Sequence, residues 1–284
     1  MIPSIAVIAP GAMGSAIAAR LAEHGCKVLT ALDGRSATTR ARAAASGMTA
    51  ASEAEIAGAD IILSIVPPGE AVALAEHLAT LINRSAKKPV VVDCNAVNVE
   101  TIRTIADIVL SSGARFVDAA IIGLPPKPGT TGPAFYVSGE AVADVAVLGE
   151  LGLDLRRIEG PIGAASALKM SYAGINKGLT GLGAAMVLAA TRAGAADALR
   201  DELALSLPHV QARLATALPD MLPKAYRWVA EMREIAGFLG DDHPAALIYE
   251  GFARLFEHIE ADVQDEGTDA AQLVAFAESC KAKT

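Results

Sequence analysis

Short apolar runs alternate with stretches of helical periodicity through the first half of the chain, and the alternation stops near residue 160. The runs are Ile5 to Ala9, Lys27 to Leu32, Asp60 to Val66, Val90 to Cys94, Arg115 to Ile122 and Ala134 to Ser138. Most are continuously apolar rather than alternating, the pattern of parallel strands covered on both faces. Glu70 to Asn83 and Val99 to Ser112, lying between runs, read as helices. This order predicts right-handed crossovers and a doubly wound, mostly parallel α/β sheet. Leu124 to Pro133, rich in proline and glycine, predicts an exposed loop beside a strand end.

After Gly160-Pro161 the pattern contains no further strand. Pro161 to Gly163 mark a helix entrance, and an alanine-rich helix is expected from about Ala164 to beyond Thr191. Gly174, Gly178, Gly181 and Gly183 fall inside it. Each costs about 1 kcal/mol against alanine, which close helix–helix packing explains. Pro208, Pro219, Pro223 and Pro244 punctuate a remainder that reads as helical. The expected organisation is an α/β domain over residues 1–160 and an all-helical domain over 161–284.

Composition narrows the partners. The chain has 284 residues, 52% of them hydrophobic but only 4% aromatic, so its cores rest on alanine and branched aliphatics. A formal net charge of −8 argues against a nucleic-acid or anionic-membrane partner. Cys26, Cys94 and Cys280 are odd in number and far apart, with neither disulfide nor metal spacing. No apolar run is long enough to span a membrane. Met1-Ile2-Pro3 leads straight into the first run without a leader pattern. A cytoplasmic protein acting on a small molecule is expected.

The candidate chemistry lies just after the strands, because ligands of open α/β sheets bind outside the strands' carboxyl ends. The first run breaks at Pro10 and continues as Gly11-Ala12-Met13-Gly14-Ser15 into a helix. Such a strand-turn-helix aims free helix N–H groups at an anion, here a dinucleotide pyrophosphate. Gly11, Ala12, Met13 and Gly14 are the candidate contacts, although Ala9 replaces the first glycine of the usual fingerprint. Asp33 follows at the distance, about 20 residues, expected of a ribose acceptor, which favours NAD. Arg35 and Ser36 suit a 2′-phosphate, which favours NADP. NADP is preferred, with NAD as the alternative; Arg35 as a solvated loop residue and Ser36 as a helix N-cap stay open. Val66 and Pro67 end the third run against the expected ribose, or simply start the next helix. Asn95 offers a donor and an acceptor at a strand end, and Asn98 reads as an N-cap. Gly123 lets backbone N–H groups approach a carboxylate.

A second stretch runs from Gly163 to Lys177. Lys169, Tyr172 and Asn176 fall three and seven residues apart and share one helical face. A lysine in so apolar a stretch is costly to bury unless paired or used, and desolvation would bring it toward the working range of a general acid or base. A solvated face with ordinary surface lysines is the other reading.

Taken together, these segments resemble the β-hydroxyacid dehydrogenase superfamily, which includes 6-phosphogluconate dehydrogenase and 3-hydroxyisobutyrate dehydrogenase. The resemblance covers residues 1 to about 180. It rests on five features in order: the Gly11-to-Gly14 turn, Val66-Pro67-Pro68, Asp93-Cys94-Asn95, the run from Asp118 to Gly123, and the helix from Gly163 through Lys169. The C-terminal half resembles the branch that carries a phosphogluconate-dehydrogenase-like C-terminal domain.

The resemblance implies a Rossmann domain followed by a helical domain, NAD(P)-dependent hydride transfer with no metal, and a homodimer whose long helices pack across the two-fold. It implies that Lys169 is the general acid/base, and that Asn95 and Gly123 hold substrate beside the nicotinamide. The family's substrate-binding asparagine is not kept: Tyr172 and Ala173 stand there, and Tyr172 takes the role of donating to the substrate oxygen, with Asn176 as a further substrate contact. The lysine-aspartate pair that often closes over the nicotinamide is missing near Glu231 to Glu234. Tyr226, Arg227, Trp228 and Arg233 read more readily as packing or surface residues than as a substrate pocket. The expected reaction joins a small hydroxyacid to its ketoacid. Imine reduction, as in imine reductases, and a non-catalytic NADP sensor remain as alternatives.

Overall fold

The computed structural model describes residues 2–127, 129–240 and 242–281. Two compact units divide it, Met1–Met170 and Ser171–Thr284. The first runs about ten residues past the compositional break, because the opening turn of a long helix is hydrogen-bonded to the sheet.

In the first unit, β1 (Ile5–Ile8), α1 (Ala12–Glu23), β2 (Val28–Thr30), α2 (Ala37–Ala45), β3 (Met48–Ala50) and α3 (Glu53–Ala57) make one half. β4 (Ile61–Ser64), α4 (Ala71–Arg84), β5 (Val90–Asp93), α5 (Val99–Ser111) and β6 (Arg115–Ile122) continue it. β7 (Ala134–Ser138), α6 (Val147–Glu150) and β8 (Asp154–Arg157) complete the sheet. The strand order is β3-β2-β1-β4-β5-β6-β7-β8. All neighbours pair in parallel except β6 with β7. This is the doubly wound arrangement that the alternation of runs and helices predicts.

β3 and β8 carry no apolar run and escape the pattern. Both are edge strands, where polar and charged residues block further pairing. Two of the three β3 residues are exposed, and in β8 Arg156 forms an ion pair with Asp154 at 2.6 Å.

Alternation along each strand builds two apolar layers, one per face. Val7, Leu63, Val92 and Val117 belong to one. Ile62, Val91 and Phe116 belong to the other, packed with residues of α4 and α5 such as Leu78 and Ile105. The register then sets four polar residues in one row across the sheet: Ser64 pairs with Asp93, Asp93 with Asp118, and Asp118 with Ser138. All four are buried. Ser64, Asp93 and Asp118 lie two residues beyond Ile62, Val91 and Phe116, and Ser138 joins them from antiparallel β7, so that apolar face turns polar along this row.

α7 (Ala164–Arg192) begins in the first unit and is followed by α8 (Ala196–Ser206), α9 (Pro208–Met221), α10 (Ala225–Leu239), α11 (Ala246–Gln264) and α12 (Thr268–Lys281). Among the described residues no strand follows β8. The α7 glycines admit neighbouring helices: a Cβ on Gly174 would meet the Tyr249 hydroxyl at 2.9 Å, one on Gly181 the Phe252 ring at 2.7 Å, and one on Gly183 would overlap Leu214. No helix among the described residues is long and apolar enough to cross a membrane.

Candidate functional site

The cofactor end is built by the carboxyl ends of β1, β2 and β4. Gly11 is the N-cap of α1, and no side chain caps that helix, so its first N–H groups are left for another acceptor. A Cβ placed on Gly11 would meet no atom within 4 Å, which leaves open space beside the turn. Gly14 is buried, and a Cβ there would collide with the Ala9 carbonyl, so glycine lets α1 lie close against the end of β1. Ala12 is exposed, and Met13 is half-buried and packs on the core. The residues present therefore fit a pyrophosphate at this helix end.

Beyond β2, Asp33 and Arg35 are exposed. They line a cavity of about 240 Å³ with Ile8, Ala31, Ile56, Leu74 and Leu78, and with His77 and Glu53, which pair at 2.9 Å. Its apolar walls and polar lining suit an adenosine. The Ser36 hydroxyl accepts from Thr39 N–H at 3.2 Å, making Ser36 the N-cap of α2. Asn98 likewise caps α5 through Thr101 N–H. A larger hollow of about 620 Å³, lined by residues including Leu110, Arg115, Glu140, Asp144 and Ile162, lies by Arg115 at the amino end of β6. That is the opposite edge from the one where open α/β sheets bind ligands.

Asn95 is buried just past β5. Its side-chain amide donates to Ser64 Oγ at 2.8 Å and to Asp93 Oδ2 at 2.7 Å, while its Oδ1 accepts Val66 N–H at 2.7 Å. Both amide hydrogens are thus committed within the protein. Val66 is half-buried and Pro67 exposed, and the Asn95 bridge fixes this strand end. Gly123, just past β6, has φ +134° and packs so that a Cβ would meet Pro133 at 3.0 Å. The turn itself therefore requires glycine.

Lys169 sits in the second turn of α7 and is partly exposed. Burial of its surroundings holds its pKa below the usual lysine value, while Cys94, Asp93 and Asp118 act in the opposite direction. Burial pushes the Asp93 carboxyl up to about 6 against the hydrogen bonds from Asn95 that lower it. Burial also pushes the Cys94 thiol up, which keeps it from acting as a thiolate.

The first turn of α7 is held by Asp118. Its Oδ2 accepts from Ser138 Oγ at 3.0 Å, Gly163 N at 2.9 Å, Ala165 N at 3.0 Å and Ser166 N at 3.1 Å. Its Oδ1 accepts from Ser166 Oγ at 2.7 Å. Ser138 Oγ also accepts Ala165 N–H at 3.0 Å. Asp93, Asp118, Ser64, Ser138 and Ser166 carry this arrangement; Asp93 and Asp118 lie in segments that the sequence singles out, but nothing local shows these partnerships. Sheet register pairs the four strand residues across 20 or more positions, and the start of α7 adds Ser166.

Two further candidates lie in the second unit. Tyr172 is exposed. Asn176 is half-buried, and both its carbonyl and its Oδ1 accept from Arg213. In the same unit Lys177 pairs with Glu231 and lies over the Trp228 ring. Trp228 packs edge-on against Phe256 at 5.2 Å. Arg233 pairs with Glu257, and Tyr226 is exposed beneath Arg227. These residues behave as packing and surface groups. No cluster of three or more potential metal-ligating side chains occurs among the described residues.

Comparison with known proteins agrees with this fold. Residues 4–147 match the NAD binding domain of 6-phosphogluconate dehydrogenase, and residues 190–259 match a domain of unknown function. No curated protein matches the chain. One solved structure, a conserved protein of unknown function described as similar to 3-hydroxyacid dehydrogenases, is 26% identical with TM-score 0.75, over 95% of this chain and 99% of that one. Mycobacterium tuberculosis 3-hydroxyisobutyrate dehydrogenase with L-serine shares the fold at 21% identity and TM-score 0.67, over 98% and 99%. An imine reductase from Myxococcus stipitatus in complex with NADP+ shares it at 19% identity and TM-score 0.59, over 96% and 99%. The chain, matched over half its length by that nucleotide-binding domain, belongs to the 6-phosphogluconate dehydrogenase-like family of NAD-binding proteins, in the β-hydroxyacid dehydrogenase superfamily.

Proposed function

We propose that the protein is an NADP-preferring oxidoreductase that interconverts a small hydroxyacid and its ketoacid, with Lys169 handling the proton. The observation that carries this reading is the setting of Lys169. It is a partly exposed lysine with lowered proton affinity, on a helix fastened to the carboxyl edge of a nicotinamide-binding sheet.

The nicotinamide supplies or takes up the hydride when bound. In reduction, the Lys169 ammonium gives a proton to the substrate oxygen as the C=O bond becomes C–OH. In oxidation, the neutral amine removes the hydroxyl proton. A lowered pKa narrows the gap between the two states near neutrality, which favours transfer in both directions. The turn from Gly11 to Gly14 holds the pyrophosphate, and Arg35 and Ser36 hold the 2′-phosphate with Asp33 turned outward. Val66 and Pro67 bound the ribose. Gly123 offers backbone N–H groups to the substrate carboxylate, and Asn95 orients the strand end beside it. Tyr172, one turn beyond Lys169 on α7, donates to the substrate oxygen, and Asn176 contributes a further contact.

Tyr172 also supports a second reading. A tyrosine in place of the family's asparagine alters the donor set around the reacting atom, and an imine reductase shares this fold. Imine reduction is the alternative reaction, with hydride added to C=N and the proton to nitrogen.

The active form is a homodimer. Tyr172, Ile175, Leu179, Leu182 and Met186 recur three and four residues apart along α7, each between 40% and 66% exposed. This spacing makes a coiled-coil-like seam for the same helix of a second copy. Following nicotinamide absorbance with small ketoacids, hydroxyacids and cyclic imines tests the reaction. Turnover of imines alone supports the alternative, and tight NADPH binding without turnover of any class contradicts both reactions.

A further inference from the structure

The polar row Ser64–Asp93–Asp118–Ser138 crosses a sheet that is otherwise apolar within the layers. Asp118 makes most of the row's contacts with the start of α7: three of its five hydrogen bonds come from α7, one from Gly163 just before it, and one from Ser138, whose hydroxyl also accepts Ala165 N–H. Capping a helix does not require this: a serine or threonine caps as well, without the cost of burying a carboxylate. Asp118 is fully buried, and its charge is met by the positive end of α7 and by two hydroxyls. Lys169 follows Ser166 by three residues, just under one helical turn, so anchoring Ser166 fixes where the lysine stem leaves the helix.

We infer that Asp118 is a positioning residue for Lys169: it fastens the first turn of α7 to β6 and β7, and sets a fixed negative charge facing the lysine. This rests on the reading of Lys169 as the proton carrier. The titratable groups that act on Lys169 are Cys94, Asp93 and Asp118, each of which favours its protonated form. Cys94 is held as the neutral thiol by burial, so the carboxylates supply the opposing charge. Burial favours the neutral lysine, and the carboxylates offset part of that effect.

The test is the titration of Lys169 in the full chain without cofactor or substrate. Competitive acetylation with acetic anhydride across a pH series, read peptide by peptide in a mass spectrometer, gives the midpoint for that lysine. Asp118→Asn removes the charge and keeps the side-chain shape; its midpoint is expected about one pH unit lower. Ser138→Ala and Ser166→Ala each remove a neutral partner and keep the charge; their midpoints are expected to stay with the wild type. Circular dichroism and thermal melting establish that each variant folds. Should Asp118→Asn not fold, Asp118→Ser, a neutral capping residue, carries the same expectation. An unchanged midpoint in a folded neutral variant overturns the inference, as does an equal shift in the serine variants. Failure of both neutral variants to fold assigns Asp118 a purely structural role and also overturns it. Because the labelling needs no reaction, its failure is distinct from that of the proposed activity, which is absence of turnover in the wild type.

Discussion

Asn95 Oδ1 accepts the backbone N–H of Val66 at 2.7 Å and so ties the carboxyl end of β5 to that of β4. With both amide hydrogens given to Ser64 and Asp93, Asn95 is a brace for the carboxyl ends of β4 and β5, where the cofactor is proposed to lie. Asn95→Ala leaves the Val66 N–H and the Ser64 and Asp93 oxygens short of a partner. The expected result is a loss of about 1–3 kcal/mol in urea unfolding together with weaker NADPH binding. Unchanged binding in a folded variant would separate the brace from the cofactor.

In the proposed reading, Arg35 sets the choice of cofactor. A charge-assisted hydrogen bond to a phosphate contributes about 1.5–3 kcal/mol, so Arg35→Ala is expected to weaken NADPH binding by tenfold or more and leave NADH binding nearly unchanged. Fluorescence titration with each dinucleotide checks it. Equal weakening for both would assign Arg35 to a part of the cofactor that the two share.

Asp93 gives the protein a pH signature. Its folded-state pKa is raised to about 6 by burial, above the ordinary value of 3.8. Between these values the folded protein binds the proton more tightly than the unfolded chain. The contribution is therefore fully present below about pH 4 and declines as pH rises through about 6, by up to about 3 kcal/mol. Urea unfolding of the wild type and Asp93→Asn across this range measures the difference between them. Parallel pH profiles would contradict the assignment.

The α7 seam makes a prediction about assembly. Leu179→Glu places a charge at the middle of the stripe Tyr172–Ile175–Leu179–Leu182–Met186, where a dimer would have to bury it. Light scattering after size exclusion is expected to show a dimer for the wild type and a monomer for the variant, with helicity retained. A monomeric wild type would remove the seam's proposed occupant.

The sequence carries the fold where burial enforces a pattern. The central strands are read directly because both faces are covered, and Ser36 and Asn98 announce their helices because capping is local. β3 and β8 are silent because edge strands avoid the apolar run that reveals a strand. At the candidate site, local chemistry singles out Gly11, Gly14 and Lys169. Asp118 is not: its partners Ser138, Gly163, Ala165 and Ser166 lie 20 to 48 residues away, and only the sheet register and the start of α7 bring them together. Asn95 is recognisable as a strand-end amide, yet nothing local tells that its donors turn inward to Ser64 and Asp93.

Turnover of Lys169→Met, measured beside its NADPH affinity, decides whether Lys169 carries the proton. Methionine keeps the length and apolar stem and removes the proton carrier. NADPH binding is expected to stay close to wild type, with hydride transfer to the best substrate of the panel abolished. Hydride transfer at the wild-type rate in that variant would contradict that role.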